Sequence, residues 1–400
     1  MKAAMSEATD RPEPLIRPPR LRAEDSERSA SRLELFFDLA YVLVVAELAA
    51  SFAKDLSWHG AGVFAALFTI TWWSWVTTTL YANRFDTNDV IYRLAKLGGA
   101  GAVIAMAAAA QDATGTEGTA FALSYLVTRL LLLALYARAY RHVRDARPTI
   151  VIYLVGTGAG AALWAGSLAA SGYLRYALWA AGILIEATAP IVATRRGGGV
   201  PLHLDHLPER FGLFVILVLG ESVASVVAGV HDTHWEAASV LVAAVGFVLV
   251  AALWWIYFDL GGAAGKRNLI DEGDDQESGV ADAYVYGHLP LMLGLVIVAV
   301  GLEQFILHPG DHLPVAAVWA LHGGATLFLA GTVAVMSGTA GTWRAAWPWP
   351  IVAIPAVAVI GAAPWLVPAA AVGLSAAVLV ATVLAGIRQQ RHGRLATTET

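Results

Sequence analysis

Long apolar runs alternate with short polar segments along this 400-residue chain. Twelve of these runs have a length that suits a helix crossing a membrane. They lie near 33–53, 60–81, 92–111, 119–137, 149–170, 173–194, 210–230, 236–259, 284–307, 315–336, 347–363 and 365–387. Because five prolines lie in or between the last two runs, these runs form either two spans or one broken re-entrant element. The pattern predicts an all-α fold, a polytopic membrane helix bundle with about twelve transmembrane helices.

The composition agrees with a membrane protein. Hydrophobic residues make up 58% of the chain and charged residues only 14%, whereas a soluble chain carries about 25% charged residues. The chain has no cysteine, which excludes disulfides, thiol nucleophiles and cysteine-bound metal clusters. Its basic residues are scattered through short loops, so we expect no nucleic-acid partner. No sequence motif indicates a cofactor or a metal, so we expect none.

The distribution of lysine and arginine predicts the orientation, because these residues favour cytoplasmic loops. With a cytoplasmic amino terminus, all but three of the 26 lysines and arginines fall on the cytoplasmic side. The exceptions are Lys54 and Arg175 in outer loops and Arg129 within the fourth helix. Both termini are therefore predicted to be cytoplasmic. Residues 1–31, rich in arginine and proline, and residues 389–400 are predicted to be tails, the first of them disordered.

An internal repeat is predicted between residues 32–196 and residues 197–388, each holding six helices. Glu209 and Glu221 follow Glu34 and Glu47 by 175 and 174 residues, and each half carries a tryptophan pair in its second helix. Because six helices separate equivalent elements, the two halves would be parallel and related by an axis along the membrane normal. Folds of this kind place their working site between the halves.

Four short motifs resemble the bacterial low temperature requirement A (LtrA) family. They are Arg32-Leu-Glu-Leu-Phe-Phe-Asp-Leu39, His206-Leu-Pro-Glu-Arg-Phe-Gly-Leu-Phe214, Leu219-Gly-Glu-Ser222 and Gly301-Leu-Glu303. The resemblance extends over essentially the whole membrane region. It implies a multi-pass protein of the bacterial plasma (inner) membrane, connected by the family's name with growth at low temperature. It supplies no catalytic residues.

The carboxylates within the apolar helices are the candidate functional residues, since each would cost about 2.5 kcal/mol or more at the centre of a bilayer. Glu34 and Asp38 share one helix face near the cytoplasmic end and predict a proton or cation site. The alternative is a structural ion pair with Arg32 or an arginine of an inner loop. Glu47 lies about 20 Å further along the same helix and belongs to an outer site.

Other acids extend this candidate set to the remaining helices. Glu186, Glu221 and Glu303, together with Glu47, are predicted to form a relay of protonatable groups. The alternative for each is an interhelical hydrogen bond made by a neutral carboxylic acid.

Arg129 and the segment before the seventh helix complete the candidate residues. A buried guanidinium requires an acidic partner, and depth favours Glu221, then Glu47, then Glu186. A pair between Arg129 and Glu221 would cross the interface between the halves. His206, Glu209 and Arg210 are interpreted as an inner-loop motif, without the spacing of a metal site.

Three function classes fit these observations. Twelve helices, a parallel repeat and buried acids favour a secondary transporter with proton or cation coupling. A cation channel is the second candidate, because the first helix is similar to that of a potassium-channel family built of six-helix repeats. A membrane-embedded enzyme is the third, although no nucleophile arrangement is recognisable. The expected partners are membrane lipid and a small molecule or ion that the sequence does not identify, and the sequence does not predict the oligomeric state.

Overall fold

The computed structural model describes residues 15–22, 31–196, 202, 204, 206–273, 279–342, 349–363 and 365–398. Within these ranges the chain forms thirteen α-helices and one two-stranded sheet. The helices are α1 (Arg32–Lys54), α2 (Trp58–Arg84), α3 (Val90–Ala108), α4 (Gly118–His142), α5 (Arg147–Ser167), α6 (Gly172–Arg196), α7 (His206–Asp232), α8 (Ala237–Trp255), α9 (Gly262–Gly273), α10 (Gly279–Leu307), α11 (Val315–Thr339), α12 (Trp349–Gly361) and α13 (Pro368–Thr398). The strands are β1 (Arg20–Leu21) and β2 (Phe85–Asp86), and a π-helical segment, Ile256–Gly261, joins α8 to α9.

Eleven helical segments of the described chain are long and apolar enough to cross a membrane, with α8 and its continuation to Arg267 counted as one. The chain is therefore a multi-pass helical membrane protein. The remaining predicted span is α12, which has 13 residues. It rises about 20 Å, less than a hydrocarbon core of about 30 Å. Of the about twelve predicted spans, eleven are thus confirmed. The last two predicted runs form two separate helices, α12 and α13, which pack together.

Contacts between connecting segments define two ends of the bundle. Strand β1 precedes α1 and pairs with β2, which lies between α2 and α3. We call this end the near end. Lys54 at the end of α1 donates a hydrogen bond of 2.6 Å to Gln111, which follows α3, and this opposite end is the far end. Helix α7 also begins at the near end, because Arg210 in its second turn contacts Asp38 in the second turn of α1.

The two predicted halves pack their helices in a similar order. Helix α3 packs against α1 in the first half, and α10 packs against α7 in the second. The tryptophan pairs differ, however: Trp72 and Trp73 are buried, whereas Trp254 and Trp255 are each 42% exposed. The parallel repeat stays a prediction, supported by the helix order and not by these tryptophans.

Helix α1 has two faces with different surroundings. One face is exposed and apolar, as lipid contact requires. It carries Leu35, Phe36, Leu39 and Leu43. The opposite face is buried in the bundle and includes Phe37, Asp38, Tyr41, Val44 and Leu48. The helical period therefore directs Asp38 toward the other helices.

Part of the predicted disordered tail is ordered. Residues 15–22 lie across the near end, where Arg20 of β1 stands opposite Asp86 of β2. Backbone pairing with a distant segment is not visible in composition, and the prediction of disorder is therefore wrong for residues 15–22. The remaining residues of 1–30 lie outside the described residues. Helix α13 continues to Thr398, so the predicted tail at 389–400 is helical as far as that residue.

The connection between α2 and α3 holds a carboxylate that anchors this ordered segment. Asp89 caps α3 and forms a 2.5 Å ion pair with Arg138 of α4. Burial tends to raise the pKa of Asp89, but hydrogen bonds from Arg138 and from the backbone N–H groups of Tyr92 and Arg17 hold it below its ordinary value. Asp89 therefore ties the ordered tail, α3 and α4 together as an ionised group.

Helices α10 and α11 pack unusually closely because glycines face the partner helix at seven-residue intervals. A Cβ added at any of them would approach an atom of the other helix within 2.8 Å. They are Gly287, Gly294 and Gly301 of α10, and Gly324, Gly331 and Gly338 of α11. Small residues allow membrane helices to associate through van der Waals contact without a hydrophobic driving force. Gly156 and Gly160 of α5 face residues of α6 in the same way.

We predict that Gly294→Ala destabilises the protein by about 1–3 kcal/mol, because overpacking forces the backbone to shift. The new Cβ would lie 2.5 Å from the backbone nitrogen of Phe328. The measurement is the unfolding temperature of the purified protein in detergent. Gly158→Ala is the matched control, because a Cβ at Gly158 meets nothing within 4 Å. Equal unfolding temperatures for the two variants would contradict this account of α10 and α11.

Candidate functional site

A buried ion pair at the near end of the bundle joins α1 to α7, the first helices of the two predicted halves. The Nη2 atom of Arg210 in α7 lies 2.7 Å from the Oδ1 atom of Asp38 in α1, and the two side chains are 1% and 0% exposed. An inner-loop arginine was one of the structural partners predicted for Asp38. The structure identifies the partner as an arginine that lies within a helix.

Aromatic rings surround this pair. The indole Nε1 of Trp75 in α2 donates a 2.8 Å hydrogen bond to the same Oδ1 atom of Asp38. The Trp75 ring stacks on Phe214 at a centroid distance of 4.3 Å and meets Phe211 edge-on at 5.0 Å. Because both phenylalanines belong to α7, the rings fix the position of Arg210 relative to α2. The bond from Trp75 to Asp38 adds a polar contact to this aromatic packing.

Two further charged residues, Lys96 and Glu34, lie beside the pair. We call these four residues the near-end cluster. Lys96 of α3 is 2% exposed, and its Nζ atom lies 3.7 Å from the ring centroid of Phe37. Glu34 accepts 2.8 Å hydrogen bonds from the backbone nitrogen and the hydroxyl of Ser31, which caps α1. Lys96 and Glu34 interact electrostatically with Arg210. With two acids and two bases, the cluster carries no net charge when all four groups are ionised.

The ion pair between Asp38 and Arg210 leaves hydrogen-bonding capacity unused on both partners. Oδ2 of Asp38, and Nε and Nη1 of Arg210, are buried and have no hydrogen-bond partner among the described residues. Buried polar atoms are nearly always paired, because an unpaired one costs roughly 1–3 kcal/mol. Unpaired donors and an unpaired acceptor on one ion pair therefore mark a place where a ligand or a proton can bind.

The predicted inner-loop motif belongs to the start of α7. His206 and Glu209 lie in its first turn, with 3.4 Å between the His206 Nδ1 and Glu209 Oε2 atoms, and Arg210 follows in the second. The prediction of a loop was wrong because Pro208 is compatible with a first helical turn, where the missing N–H is not needed. Residues 203 and 205, which precede the motif, lie outside the described residues.

Arg129 has a different partner from the one predicted. Its Nη1 atom lies 3.1 Å from the Oε2 atom of Glu186 in α6, and both side chains are fully buried. The prediction that Arg129 pairs with Glu221 across the halves was wrong, because depth along a helix does not determine which face of a neighbouring helix it meets. Both partners belong to the first half. Among the described residues, the pair between Asp38 and Arg210 is an ion pair that joins the two predicted halves.

Polar residues of α2 and α4 support the pair between Arg129 and Glu186. Arg129 donates 2.7 Å hydrogen bonds to the hydroxyls of Thr77 and Ser74. The Tyr125 hydroxyl donates to Glu186 at 3.0 Å, and Tyr41 of α1 shares a 2.9 Å hydrogen bond with Ser74. Ser74 and Trp75 are adjacent on α2, and each contacts one of the two ion pairs. The two buried networks are therefore linked through one helix.

The predicted relay of acids is divided by the structure. Glu186 is bound to Arg129, whereas Glu47, Glu221 and Glu303 are half-buried residues in the far part of the bundle. Glu221 interacts electrostatically with both Glu303 and Glu47, and Glu47 accepts a hydrogen bond from Gln111. The structure thus groups Glu186 with Arg129 and the other three acids with one another, and the relay stays a prediction.

Sequence reasoning missed two contributors to the near-end cluster. Lys96 was assigned to an inner-loop segment, yet it lies in the second turn of α3. The other is the π-helical segment after α8, where the Tyr257 hydroxyl bonds to Nε2 of His288 at 3.0 Å. His288 contacts the Phe211 ring at 4.8 Å. This segment thus supports the aromatic wall behind Arg210, and π-helical turns often occur at functional sites. A lysine inside an apolar run was the available signal for Lys96.

Comparison with known proteins assigns the chain to a family. Residues 29–385 match the family described as bacterial low temperature requirement A protein (LtrA). The chain belongs to the LtrA family. It is also 29% identical over 328 residues to an uncharacterized protein of Rhizobium meliloti (strain 1021), covering 78% of each chain. The resemblance inferred from the four motifs is thereby confirmed.

The motifs that carry the LtrA resemblance meet in space. The first contributes Asp38 and the second contributes Arg210, and these residues form the ion pair between α1 and α7. The other two motifs contribute Glu221 and Glu303, which interact electrostatically. Four stretches that are distant along this LtrA chain thus form two juxtapositions, one in the near part and one in the far part of the bundle.

We predict that Arg129→Leu accumulates poorly, because removing one member of a buried ion pair costs about 3–5 kcal/mol. Adding Glu186→Leu should restore much of the accumulation, since the double variant strands no charge. The measurement is the yield of monodisperse protein in detergent and its unfolding temperature. Adding Glu221→Leu instead is the control. Rescue by the Glu221 change and not by the Glu186 change would contradict the observed pairing.

Proposed function

We propose that this LtrA family protein is a secondary transporter with proton or cation coupling, and that Asp38 is its coupling group. The observation that carries the proposal is the buried pair between Asp38 and Arg210, which joins α1 to α7 and leaves polar atoms unpaired on both partners. The remaining charges of the near-end cluster, Glu34 and Lys96, would set the electrostatic field around Asp38.

The position of the pair suits a carrier. Transporters built of two repeats open alternately to each side by moving one repeat against the other, around a site at their interface. A pair between the first helices of the two proposed halves is broken or rearranged by such a movement. The sequence offsets and the shared helix order support the repeat. An interaction that depends on protonation would then couple the movement to an ion gradient.

The energetics of the pair allow this coupling. Ionised Asp38 and Arg210 stabilise each other in a medium where an isolated buried charge costs several kcal/mol. A proton or a cation on Asp38 removes much of that attraction. An equilibrium between two conformations shifts from 1:99 to 99:1 with about 5.5 kcal/mol of differential binding. Loss of one partner from a buried ion pair costs about 3–5 kcal/mol. This is a large part of the free-energy difference that such a shift requires.

The orientation and location are part of the proposal. We place both termini in the cytoplasm, which requires α12 to connect the two sides of the membrane in addition to the eleven spans. We place the protein in the bacterial plasma membrane, with lipid around it and a small molecule or ion as its cargo. The lysine and arginine distribution supports this orientation, although Lys96 and Arg210 are buried helix residues and not loop residues. The family's description refers to a low-temperature requirement, and we connect the transport activity with growth in the cold.

We expect Asp38→Asn to abolish coupled transport in the protein that reaches the membrane, because an amide cannot exchange a proton at this depth. It should also lower the amount that accumulates, because it leaves Arg210 without its acidic partner. The measurement is uptake of a panel of small solutes into proteoliposomes that contain a pH-sensitive dye, with sodium and potassium gradients tested separately. Asp112→Asn, a change of the same type at an exposed far-end residue, is the control. Unaltered coupling in Asp38→Asn would make Asp38 a structural residue.

The same assay separates the other function classes. Saturable, ion-coupled uptake supports the transporter. An ohmic current without saturation would identify a cation channel, and the absence of any solute or ion movement would overturn the proposal and favour a membrane enzyme.

The orientation has its own test. Reporter fusions after Ala30 and after Arg394 should both report a cytoplasmic position, because the basic residues favour that side. The measurement is the activity of a reporter that works on only one side of the membrane, compared with a reporter that works only on the other. An outside position for either terminus would overturn the proposed topology.

A further inference from the structure

We infer that the cargo is a small monocarboxylate, bound by Arg210 together with a proton on Asp38. This inference rests on the proposed transport function and adds the substrate class. The proton would neutralise Asp38, and the carboxylate of the cargo would take its place on Arg210.

The donors of Arg210 define the chemistry of the ligand. Its guanidinium remains protonated in proteins and presents a planar fork that matches a carboxylate. Only Nη2 is bonded to Asp38, at 2.7 Å, while Nε and Nη1 are buried without a hydrogen-bond partner among the described residues. The two-donor edges of a guanidinium are Nε with Nη2 and Nη1 with Nη2, and both include the nitrogen that Asp38 now holds. A bidentate carboxylate would therefore use Nη2, released when Asp38 is protonated, together with one of the two unpaired nitrogens. In the observed state the carboxylate of Asp38 occupies part of this anion site.

The charge balance of the cluster links the anion to a proton. Glu34 and Asp38 balance Lys96 and Arg210 when all four are ionised. A proton on Asp38 leaves one excess positive charge in a buried place, and a bound monocarboxylate restores neutrality. A carboxylate without the proton would leave an excess negative charge. Proton and anion are therefore expected to bind and cross together, with no net charge moved.

The surroundings of Asp38 disfavour a cation as the cargo. The charged groups that face Asp38 are Glu34 from α1, Lys96 from α3 and Arg210 from α7. Helix α2 presents the indole of Trp75, and α10 presents His288 to the ring of Phe211 rather than to a carboxylate. Two of the three facing charges are positive and would repel a cation at Asp38. The aromatic rings favour a ligand with a small or apolar body behind its carboxylate.

A zwitterion is the alternative that the experiment separates. Its ammonium group would use the unpaired Oδ2 of ionised Asp38, so it would bind better when Asp38 is unprotonated. A monocarboxylate requires protonated Asp38 and binds better at lower pH. The two ligand classes thus have opposite pH dependences at the same site.

The first experiment measures ligand-induced stabilisation of the purified protein at about pH 5.5 and about pH 7.5, on either side of neutrality. The probes are formate, lactate, pyruvate and benzoate, with lactamide as the uncharged control and alanine as the zwitterion. We expect at least one monocarboxylate to raise the unfolding temperature more at the lower pH, and lactamide to have no effect. The inference is overturned if no monocarboxylate binds, or if alanine binds better at the higher pH.

Variants identify the groups responsible. Asp38→Asn should bind the same monocarboxylate equally at both pH values, because no carboxylate at position 38 competes for Arg210 at either pH. Arg210→Gln should weaken binding by at least about tenfold, as expected for loss of charge-assisted hydrogen bonds. Arg210→Gln leaves Asp38 as a buried charge without its partner, which can itself prevent folding. The double variant with Asp38→Asn and Arg210→Gln removes both charges, so its binding can be measured in folded protein. Binding retained by the double variant would exclude Arg210 as the anion site.

Transport of the same probe completes the test. Proteoliposomes should take up the stabilising carboxylate together with protons, and a potassium-diffusion potential set with valinomycin should not change the initial rate. Protein-free liposomes correct for passive diffusion of the acid. A potential-dependent rate would overturn the electroneutral step. Coupled transport of a cation or zwitterion without carboxylate binding would support the transporter function and refute the monocarboxylate as its cargo. Carboxylate binding without transport of any solute would support the anion site and refute the transporter function.

Discussion

The cost of placing charge in a low-dielectric interior is the constraint on which this structure depends. An arginine within a membrane helix cannot become neutral, so each buried arginine requires a partner with a fixed geometry. Arg129 finds Glu186 within the first half, and Arg210 finds Asp38 across the two proposed halves. The first pair binds helices of one unit together. The second joins units that a carrier would have to move against each other.

The two pairs differ in how completely they are supported. Arg129 has hydroxyl acceptors on Ser74 and Thr77 in addition to its carboxylate, so its network resembles a fixed structural element. Arg210 has one described hydrogen bond, to Asp38, and two nitrogens without a partner among the described residues. All three guanidinium nitrogens of Arg129 are hydrogen-bonded, although Oε1 of Glu186, like Oδ2 of Asp38, has no partner among the described residues. The unpaired donors of Arg210 can bind a ligand without breaking an existing hydrogen bond. This difference is why we assign function to the near-end pair.

Packing places the near-end pair between rigid surfaces. The rings of Trp75 and Phe211 are in contact beside it and pack α2 against α7. On its other side Phe211 contacts His288, which is hydrogen-bonded to Tyr257 of the π-helical segment. The glycine-mediated contact of α10 with α11 makes that part of the second half a tight unit. Helix α2 contacts both ion pairs, through Ser74 to Arg129 and through the adjacent Trp75 to Asp38. A displacement of α2 would therefore alter both ion pairs.

The sequence by itself determined the membrane class, nearly all helix positions and the identity of the charged candidates. This is possible because apolar runs of span length are distinctive and a charge within one is conspicuous, as Asp38 and Arg129 were. Only the tertiary structure decided the partners. A helical sequence specifies depth and face but not which neighbouring helix meets that face, so Glu186 could not be distinguished from Glu221. Arg210, near a helix start, looked like a loop charge until α1 and α7 were seen in contact.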